Sequence, residues 1–300
     1  MEQKLERLET EQINARTDGL DLLSTDELVQ ALHSENHLVA LAVDAALPSI
    51  TKVVDELERC LRAGGRLFYV GAGTSGRLGV LDASECPPTF GVEPDLIVGI
   101  IAGGDGALRT SVEGAEDLED SGKQDLENRL VSHKDVVVGI AASGRTPYVI
   151  GALKYAKSIG AYAAAVVNVS NSTLEEVADT VIAAVTGPEP LTGSTRLKAG
   201  TAQKMILNML TTAAMVKLGK VYGNLMVDMK ATNFKLKDRA LRIVISATGC
   251  DRQSADDVLQ KADGQTKLAI LMQLRSISAD EARQRLGSTG GNLRAALNLN

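Results

Sequence analysis

The sequence predicts a three-layer α/β fold, in which a parallel β-sheet lies between two layers of helices, with N-terminal helices before it and a small helical C-terminal domain after it. Five short apolar runs rich in β-branched residues are bounded by Gly, Ser or Asp, and helix-length segments separate most of them. Apolar strands that alternate with helices are typical of a parallel sheet buried on both faces. The runs lie at 67–70, 96–102, 136–141, 163–169 and 181–185.

The chain before the sheet is predicted to be helical. Ser24 and Glu27 have the spacing of a capping box, and they open a stretch in which apolar residues recur with helical periodicity. Pro48 predicts a kink or an interruption, because proline has no backbone N–H and its ring obstructs the preceding turn. The helical pattern stops at Gly64. We assign residues 1–56 to an N-terminal helical segment.

The chain after the sheet is also predicted to be helical. A long helix with several methionines follows the last strand, and three short helices come later, each preceded by polar residues or Gly. We assign 57–222 to the sheet domain and 235–300 to a small independent helical bundle. The predicted helices cover 199–218, 254–262, 266–276 and 278–286.

The composition excludes several classes of protein. The 300 residues include 32 Lys and Arg against 38 Asp and Glu, which gives a net charge of −6. An acidic protein lacks the positive field that attracts nucleic acid, so we expect no nucleic-acid partner. No apolar run reaches the ~20 residues that a membrane span needs, and the alternating charges of the first residues do not resemble a signal peptide. We therefore expect a cytoplasmic protein that does not bind a membrane.

Cysteine and histidine are too few to predict a metal site. The three cysteines are widely spaced and form no Cys-x-x-Cys pair, which argues against both zinc and a disulfide framework. His33 and His37 would share one helical face, but Glu35 is the only acidic residue between them. We expect a reduced protein without a metal ion.

The loop after the first strand contains Gly71, Gly73 and Gly76, which satisfy the pattern G-x-G-x-x-G. This pattern alone is a weak indication of a dinucleotide site. Such a site also needs an acidic residue at the end of the next strand to bind the ribose, and Asp105, the only candidate, comes late. We therefore do not favour a nicotinamide cofactor.

Three loops that follow apolar strands combine small and hydroxyl residues with an arginine. They are Ser-Gly-Arg at 75–77, Ser-Gly-Arg at 143–145 and Gly-Ser-Thr-Arg at 193–196. The carboxyl ends of parallel strands share one edge of the sheet, so the loops are predicted to converge on one crevice. Helix N-termini offer unpaired N–H groups there, and glycine allows close approach. Helix capping alone explains any single loop, but the three together predict a site for a phosphate on a small polar molecule.

Glu85 is a candidate general acid. Pro87 and Pro88 follow it and are predicted to end the helix near Cys86. The negative end of a helix dipole disfavours an ionised carboxylate, which suits a proton donor. A solvated residue at the helix end is the alternative interpretation.

A second candidate lies in the acidic stretch 113–120. Most of these carboxylates are expected to face solvent, while one of them could point into the crevice as a base. Spacing alone does not choose between Glu113 and Glu116. Gly114, in a predicted helix interior, costs about 1 kcal/mol relative to alanine, which suggests close packing against a ligand or the backbone of a partner.

Seven strings of residues resemble the N-acetylmuramic acid 6-phosphate etherase family, and together they span most of residues 60–300. The strings are VGAGTSGRLG at 70–79, LDASECPPT at 81–89, VEGAED at 112–117, VGIAASGRTPY at 138–148, KAGTAQK at 198–204, GNLMVD at 223–228 and ATGC at 247–250.

The resemblance implies a fold, an activity and two catalytic residues. The fold is the sugar isomerase (SIS) fold, a parallel-sheet binder of sugar phosphates, followed by a small UBA-like helical domain. The activity is cleavage of the D-lactyl ether of N-acetylmuramic acid 6-phosphate to N-acetylglucosamine 6-phosphate and D-lactate, without a cofactor, in a cytoplasmic homodimer that recycles cell-wall sugars. The family's proton donor falls on Glu85 and its other catalytic glutamate on Glu116.

The chemistry of this reaction suits two carboxylates. In the open-chain sugar the aldehyde acidifies the C2 proton, lactate leaves from C3, and water then adds to the unsaturated aldehyde. Our hypothesis makes Glu85 the acid and Glu116 the base. The residues predicted to bind substrate or phosphate are Gly73, Thr74, Ser75, Gly76, Ser143, Gly144, Arg145, Thr146, Ser194 and Lys198. Arg145 and Lys198 would contribute charge there, and a surface position is the equal alternative for each.

Two other functions fit the same residues. An aldose–ketose isomerase on this fold also begins by removing the C2 proton. A non-catalytic sensor similar to glucokinase regulatory protein binds a phosphosugar and turns nothing over. Release of D-lactate separates the etherase from both alternatives.

Overall fold

The computed structural model describes residues 8–230 and 233–299, and the chain divides into two compact units. The first unit contains the chain up to Ser84 together with Asp95–Thr211, and it includes the sheet. The second unit contains Glu85–Pro94 and the chain from Thr212 onward. The N-terminal helices therefore belong to the same unit as the sheet.

The first unit is built on a five-stranded parallel sheet, which confirms the predicted fold class. The strands are β1 (Leu67–Gly71), β2 (Ile97–Ile101), β3 (Val136–Ile140), β4 (Tyr162–Val167) and β5 (Thr180–Ala183). Their order is β2-β1-β3-β4-β5. Leu67 pairs with Ile97 on one side and Val136 on the other, and all five residues of β1 are buried. Their continuous apolar sequence thus matches a strand enclosed on both faces.

Helices cover both faces of this sheet. The helices that begin in the first unit are α1 (Thr25–Asp44), α2 (Leu47–Arg62), α3 (Gly73–Phe90), α4 (Glu119–Asn128), α5 (Pro147–Ser158) and α6 (Lys198–Lys217). On one face, α4 and α5 pack over a core that includes Phe68, Val137 and Leu153. On the opposite face, the Tyr69 hydroxyl donates to Asp82 of α3 and to the Leu207 carbonyl of α6. Helix α2 packs on β3 and β5.

A break between α1 and α2 lies where the proline predicted it. Helix α1 ends at Asp44, α2 begins at Leu47, and their axes are bent by 60°. Pro48 lies in the first turn of α2, where a missing N–H costs no helical hydrogen bond.

Among residues 8–230 and 233–299, no single helix is long and apolar enough to cross a membrane. Helices α1 and α2 reach that length only when they are taken together as a bent pair.

Helix α3 continues through its two prolines, so the prediction that it would end near Cys86 is wrong. Pro87 and Pro88 lie inside the helix, which ends at Phe90. Each proline removes one backbone hydrogen bond, but the turn beyond them still closes, because the Gly91 N–H donates to the Pro87 carbonyl at 2.9 Å.

The second unit is a helical bundle with its own core. Its later helices are α7 (Phe234–Thr248), α8 (Arg252–Lys261), α9 (Thr266–Arg275), α10 (Ala279–Ser288) and α11 (Leu293–Asn298). Three of them correspond to the predicted short helices, whereas α7 and α11 are additional. The ammonium of Lys267 donates to Asp228 Oδ2 at 2.6 Å and to the carbonyls of Gly219 and Gly291 at 3.0 and 2.8 Å. Burial lowers the pKa of Lys267, and the charge of Asp228 opposes that shift.

Residues 8–22 lie against loops at the carboxyl edge of the sheet. They form three 3₁₀ turns, at Glu9–Glu11, Ala15–Thr17 and Leu20–Leu22. Asn14 Nδ2 donates to the Pro188 carbonyl at 3.2 Å, and the Thr17 hydroxyl donates to the Pro190 carbonyl at 2.9 Å. The segment therefore covers the loop that follows β5.

Candidate active site

The strand order places two of the predicted loops at one position on the sheet edge. In the order β2-β1-β3-β4-β5, the chain changes direction along the sheet between β1 and β3. Ligands of open α/β sheets bind outside the carboxyl ends of the strands at such a switch point. The loops at 72–76 and 141–146 follow these two strands, so the fold brings the first two predicted phosphate loops to adjacent positions.

A cleft of about 250 Å³ opens beside the first loop. Gly73 and Arg77 of α3 line it, together with Ser111, Glu113 and Glu116 from the segment after β2. Small-molecule pockets usually measure roughly 300–1,000 Å³, so this cleft is sized for part of a sugar phosphate. Two carboxylates and one guanidinium in a narrow cleft suit proton transfer to a polar, anionic ligand.

Glycines shape the entrance to this cleft. Gly73 has a φ of 53°, and apart from its chain neighbours and the adjacent helix backbone no described atom lies within 4 Å of the position that a Cβ would take. Its backbone is thus open to a ligand in a conformation that glycine adopts readily. A Cβ on Gly76, in contrast, would lie 2.6 Å from the Gly71 carbonyl oxygen. A tight strand–helix junction therefore accounts for Gly71 and Gly76 of the G-x-G-x-x-G pattern.

Arg77 holds one wall of the cleft. Its Nη2 donates to the Ala107 carbonyl at 2.7 Å and its Nε donates to the Leu108 carbonyl at 3.2 Å. These bonds tie α3 to the 3₁₀ turn Asp105–Leu108 after β2. The sequence indicated Arg77 only as part of a Ser-Gly-Arg motif, because thirty residues separate it from the carbonyls that it binds and only the fold brings them together.

The two candidate bases remain equivalent in the cleft. Glu113 and Glu116 both line it, and both are exposed. Between them, Gly114 has a φ of 75° and precedes the 3₁₀ turn Ala115–Asp117. The predicted helix interior at Gly114 is therefore wrong. Apart from its two chain neighbours, no described residue lies within 4 Å of a Cβ there, so this chain itself does not pack closely on Gly114. Glycine is favoured at this position by its positive φ.

The loop after β3 is rigid around Gly144. This glycine has a φ of 64°, and its carbonyl accepts hydrogen bonds from the hydroxyls of Ser172 and Thr173 at 3.0 and 2.8 Å. A Cβ at Gly144 would clash with Ser172 Oγ. Thr146 is the N-cap residue of α5, and its hydroxyl makes no capping bond within the described chain. The loop therefore presents Ser143, Thr146 and a helix N-terminus, with Arg145 half-buried beside them.

The third loop does not present a helix N-terminus to a ligand. The carboxylate of Glu189 accepts hydrogen bonds from the backbone N–H groups of Lys198 and Ala199 at 2.8 and 2.9 Å. An anion from the chain itself thus occupies the start of α6. Burial raises the pKa of Glu189, and these two N–H groups oppose the shift. Ser194 lies half-buried in this loop, after Gly193, whose φ is 74°.

Lys198 pairs with a carboxylate inside the fold, so it does not face a ligand as predicted. Its side chain is 0% exposed and its Nζ lies 2.7 Å from Glu35 Oε2. Glu35 also accepts from Arg16 and from Asn14 Nδ2, at 2.5 and 2.8 Å for the nearest atoms. An isolated buried lysine would be costly, and this carboxylate satisfies it. The periodicity of α1 did not reveal that Glu35 points inward.

Ser75 and Glu85 both belong to α3, but Ser75 is buried and Glu85 is exposed. Ser75, in the first turn, is 8% exposed, and its hydroxyl donates to Gln203 Oε1 at 2.9 Å. Thr74 beside it is half-buried. Glu85 is exposed and belongs to the second unit. Because α3 continues to Phe90, Glu85 does not lie at the end of the helix, where the sequence placed it.

Asp82 is a buried acid that the sequence did not single out. Its Oδ1 accepts from Asn208 Nδ2 at 2.6 Å and from Thr211 Oγ1 at 3.3 Å, and its Oδ2 accepts from the Tyr69 hydroxyl at 3.0 Å. Burial raises the pKa of Asp82, while these hydrogen bonds oppose the shift. The carboxyl group therefore joins β1, α3 and α6.

Comparisons with known proteins agree with this architecture. The family model for the glucokinase regulatory protein N-terminal SIS domain matches residues 49–157, and the model for the SIS domain matches 114–213. Among solved structures, a phosphoheptose isomerase from Francisella tularensis has a TM-score of 0.51 at 19% identity and covers 65% of this chain and 99% of its own. The fold is thus that of the sugar isomerase (SIS) class.

Curated relatives define the family more closely. A protein from Brucella anthropi is 54% identical over 99% of this chain and 97% of its own length, and one from Salmonella typhi is 56% identical over 97% and 98%. A third, from Actinobacillus pleuropneumoniae, is 54% identical over 98% of this chain and 96% of its own. All three are named N-acetylmuramic acid 6-phosphate etherase. The chain belongs to the N-acetylmuramic acid 6-phosphate etherase family.

Proposed function

We propose that this protein is a carbon–oxygen lyase that cleaves the D-lactyl ether of N-acetylmuramic acid 6-phosphate. The products are N-acetylglucosamine 6-phosphate and D-lactate, in the recycling of cell-wall amino sugars. The observation that carries the proposal is the 54–56% identity to etherases along nearly the whole chain. The cleft with two glutamates beside an open glycine backbone supports it.

The phosphate is assigned to the loops after β1 and β3. The rigid turn at Gly144, the hydroxyls of Ser143 and Thr146 and the N-terminus of α5 form a donor-rich surface, which suits an anion. The open backbone at Gly73 allows close approach from the neighbouring loop. Phosphate bound here would direct the sugar carbons toward the cleft that Glu116 lines.

The reaction is assigned to Glu116 and Glu85. Glu116 removes the C2 proton of the open-chain sugar, the electron pair forms the C2–C3 double bond, and the C3–O bond breaks while Glu85 protonates the departing lactyl oxygen. Water then adds at C3 and a proton returns to C2, so the ether is hydrolysed overall. Two carboxylates in opposite protonation states supply every proton transfer.

We propose a homodimer that works in the cytoplasm on a phosphorylated amino sugar. The segment 1–56, the SIS domain 57–222 and the bundle 235–300 are its proposed divisions.

Incubation of the purified protein with N-acetylmuramic acid 6-phosphate tests the activity. We expect D-lactate and N-acetylglucosamine 6-phosphate in equal amounts. An intact ether with a ketose product would indicate an isomerase, and tight binding without any product would indicate a sensor, so either result would contradict the proposal.

Replacement of the proposed acid tests its role. Glu85→Gln removes the proton donor but keeps the size of the side chain, so lactate release should fall by about 10²–10⁴-fold while phosphosugar binding stays nearly intact. Glu93→Gln, another exposed glutamate of the second unit, is the matched control and should keep wild-type turnover. Undiminished lactate release from Glu85→Gln would remove Glu85 from the mechanism.

A further inference from the structure

A buried chain of hydrogen bonds runs from Ser75 to the carboxyl end of β5. The Ser75 hydroxyl donates to Gln203 Oε1 at 2.9 Å, Gln203 Nε2 donates to Asn168 Oδ1 at 3.0 Å, and Asn168 Nδ2 donates to the Ala184 carbonyl at 3.0 Å. The exposed fractions are 8% for Ser75, 1% for Gln203 and 0% for Asn168. Water therefore cannot replace these partners without opening the core.

The Ala184 carbonyl determines which way the amide groups of Asn168 and Gln203 are oriented in these hydrogen bonds. A backbone carbonyl only accepts hydrogen bonds, so Asn168 must turn its amide nitrogen toward Ala184 and its oxygen toward Gln203. Gln203 must then turn its nitrogen toward Asn168 and its oxygen toward Ser75. Reversing either amide would set two oxygens against each other in the interior, which leaves buried polar atoms unsatisfied.

From this we infer that Gln203 is a positioning residue that directs the Ser75 proton away from the ligand, so that Ser75 accepts a hydrogen bond from an O–H or N–H group of the ligand. A serine has one proton to donate, and here Gln203 Oε1 takes it. The oxygen lone pairs remain for a ligand. This inference rests on the proposed function, because it specifies how the proposed phosphosugar is recognised.

The loops after β3 and β1 therefore offer different hydrogen-bonding groups to the ligand. Ser143, Thr146 and the α5 N-terminus offer donors to the phosphate oxygens, whereas Ser75 requires a donor on the ligand. Two kinds of group have that chemistry: a hydroxyl or the N-acetyl N–H of the sugar, and the P–OH of a phosphate monoanion. A phosphate ester loses its last proton near pH 6, so pH distinguishes the two sources.

The first experiment compares wild type with Ser75→Ala by calorimetric titration. Inorganic sulfate carries no proton at working pH, so its affinity should change by less than about twofold. N-Acetylglucosamine 6-phosphate should bind about tenfold more weakly to Ser75→Ala. The loss should appear at pH 5 only if the donor is P–OH, and at both pH 5 and pH 8 if the donor is a sugar hydroxyl or the N-acetyl N–H. A tenfold loss of sulfate affinity would overturn the inference, since Ser75 would then be a donor, and so would no loss for either ligand.

The second experiment tests Gln203 itself. Gln203→Met keeps the bulk of the side chain and releases the Ser75 proton, so sulfate affinity should rise several-fold, and the double variant with Ser75→Ala should lose that gain. Gln124→Met, on the exposed surface of α4, is the control. Unchanged or weaker sulfate binding in Gln203→Met would contradict the positioning role. If that variant does not fold, the Ser75→Ala comparison still decides the polarity.

Different results would contradict the proposed activity and the proposed polarity of Ser75. A wild-type protein that does not bind N-acetylglucosamine 6-phosphate, or that releases no D-lactate, would contradict the proposed function. A wild-type protein that does both, but whose Ser75→Ala variant loses sulfate affinity, would contradict only the polarity of Ser75.

Discussion

Single residues at the candidate site act mainly through backbone geometry and hydrogen-bond direction. Gly144 is an example: its small size was interpreted from the sequence as allowing close approach of a ligand. The structure shows a second reason, because Ser172 lies where a Cβ would project and φ is 64°. Sequence reasoning identifies such a glycine through its place after a strand, but the residue that packs against it comes from a loop 28 positions later.

Gly144→Ala should therefore destabilise the first unit. The left-handed backbone and the clash with Ser172 together cost about 2–4 kcal/mol, which urea unfolding would measure as a lower midpoint. Gly287→Ala is the control, since Gly287 lies in α10 and, beyond its chain neighbours and the adjacent helix backbone, no described atom lies within 4 Å of a Cβ there. The stability of this variant should be unchanged or up to about 1 kcal/mol higher. An unfolding midpoint of Gly144→Ala equal to that of wild type would contradict the strain at this turn.

At the scale of elements, the start of α6 connects the sheet unit to its N-terminal helix. Glu189 binds the first N–H groups of α6, and the side chain of Lys198 reaches Glu35 on α1. The hydrogen bond from Arg16, with help from Lys198 and Asn14, lowers the pKa of Glu35 to about 2 although burial opposes the shift. Helical periodicity could predict α1 and α6 but not this contact, because a charged residue is normally assigned to the solvent face.

The bonds that Glu35 makes with Arg16, Asn14 and Lys198 predict that the fold loses stability in acid. The folded pKa of about 2 is below the ordinary 4.5, so the stabilisation is fully present above pH 4.5 and is lost as the pH falls toward 2. Its size is at most about 3 kcal/mol. Glu35→Gln should lower the free energy of unfolding at pH 7 and remove most of this pH dependence, as measured by urea unfolding between pH 7 and pH 2.5. Glu127→Gln, from an exposed pair with Lys123, should behave as wild type; an equally steep acid decline in Glu35→Gln would contradict the prediction.

For the molecule as a whole, the sequence predicted the architecture better than the details of the site. Continuous apolar strands and the loops after them are local signals, so the parallel sheet and the loops at Ser75 and Ser143 could be recognised in advance. The path of α3 through Pro87 and Pro88, the burial of Lys198 and the bond from Arg77 to Ala107 depend on tertiary packing. Packing overrides local preference at these positions, which is why periodicity and turn chemistry did not reveal them.

Deuterium exchange at C2 during reaction in D₂O tests the central chemistry most directly. Wild type should release D-lactate and place one deuterium at C2 of the product, detected by mass spectrometry and NMR. Glu116→Gln should abolish both lactate release and C2 exchange. Glu85→Gln should keep C2 exchange in the substrate while lactate release falls by about 10²–10⁴-fold. Glu119→Gln changes an exposed neighbour of Glu116 and should match wild type. Exchange at C2 by Glu116→Gln at the wild-type rate would show that another group removes the proton and would contradict the assigned mechanism.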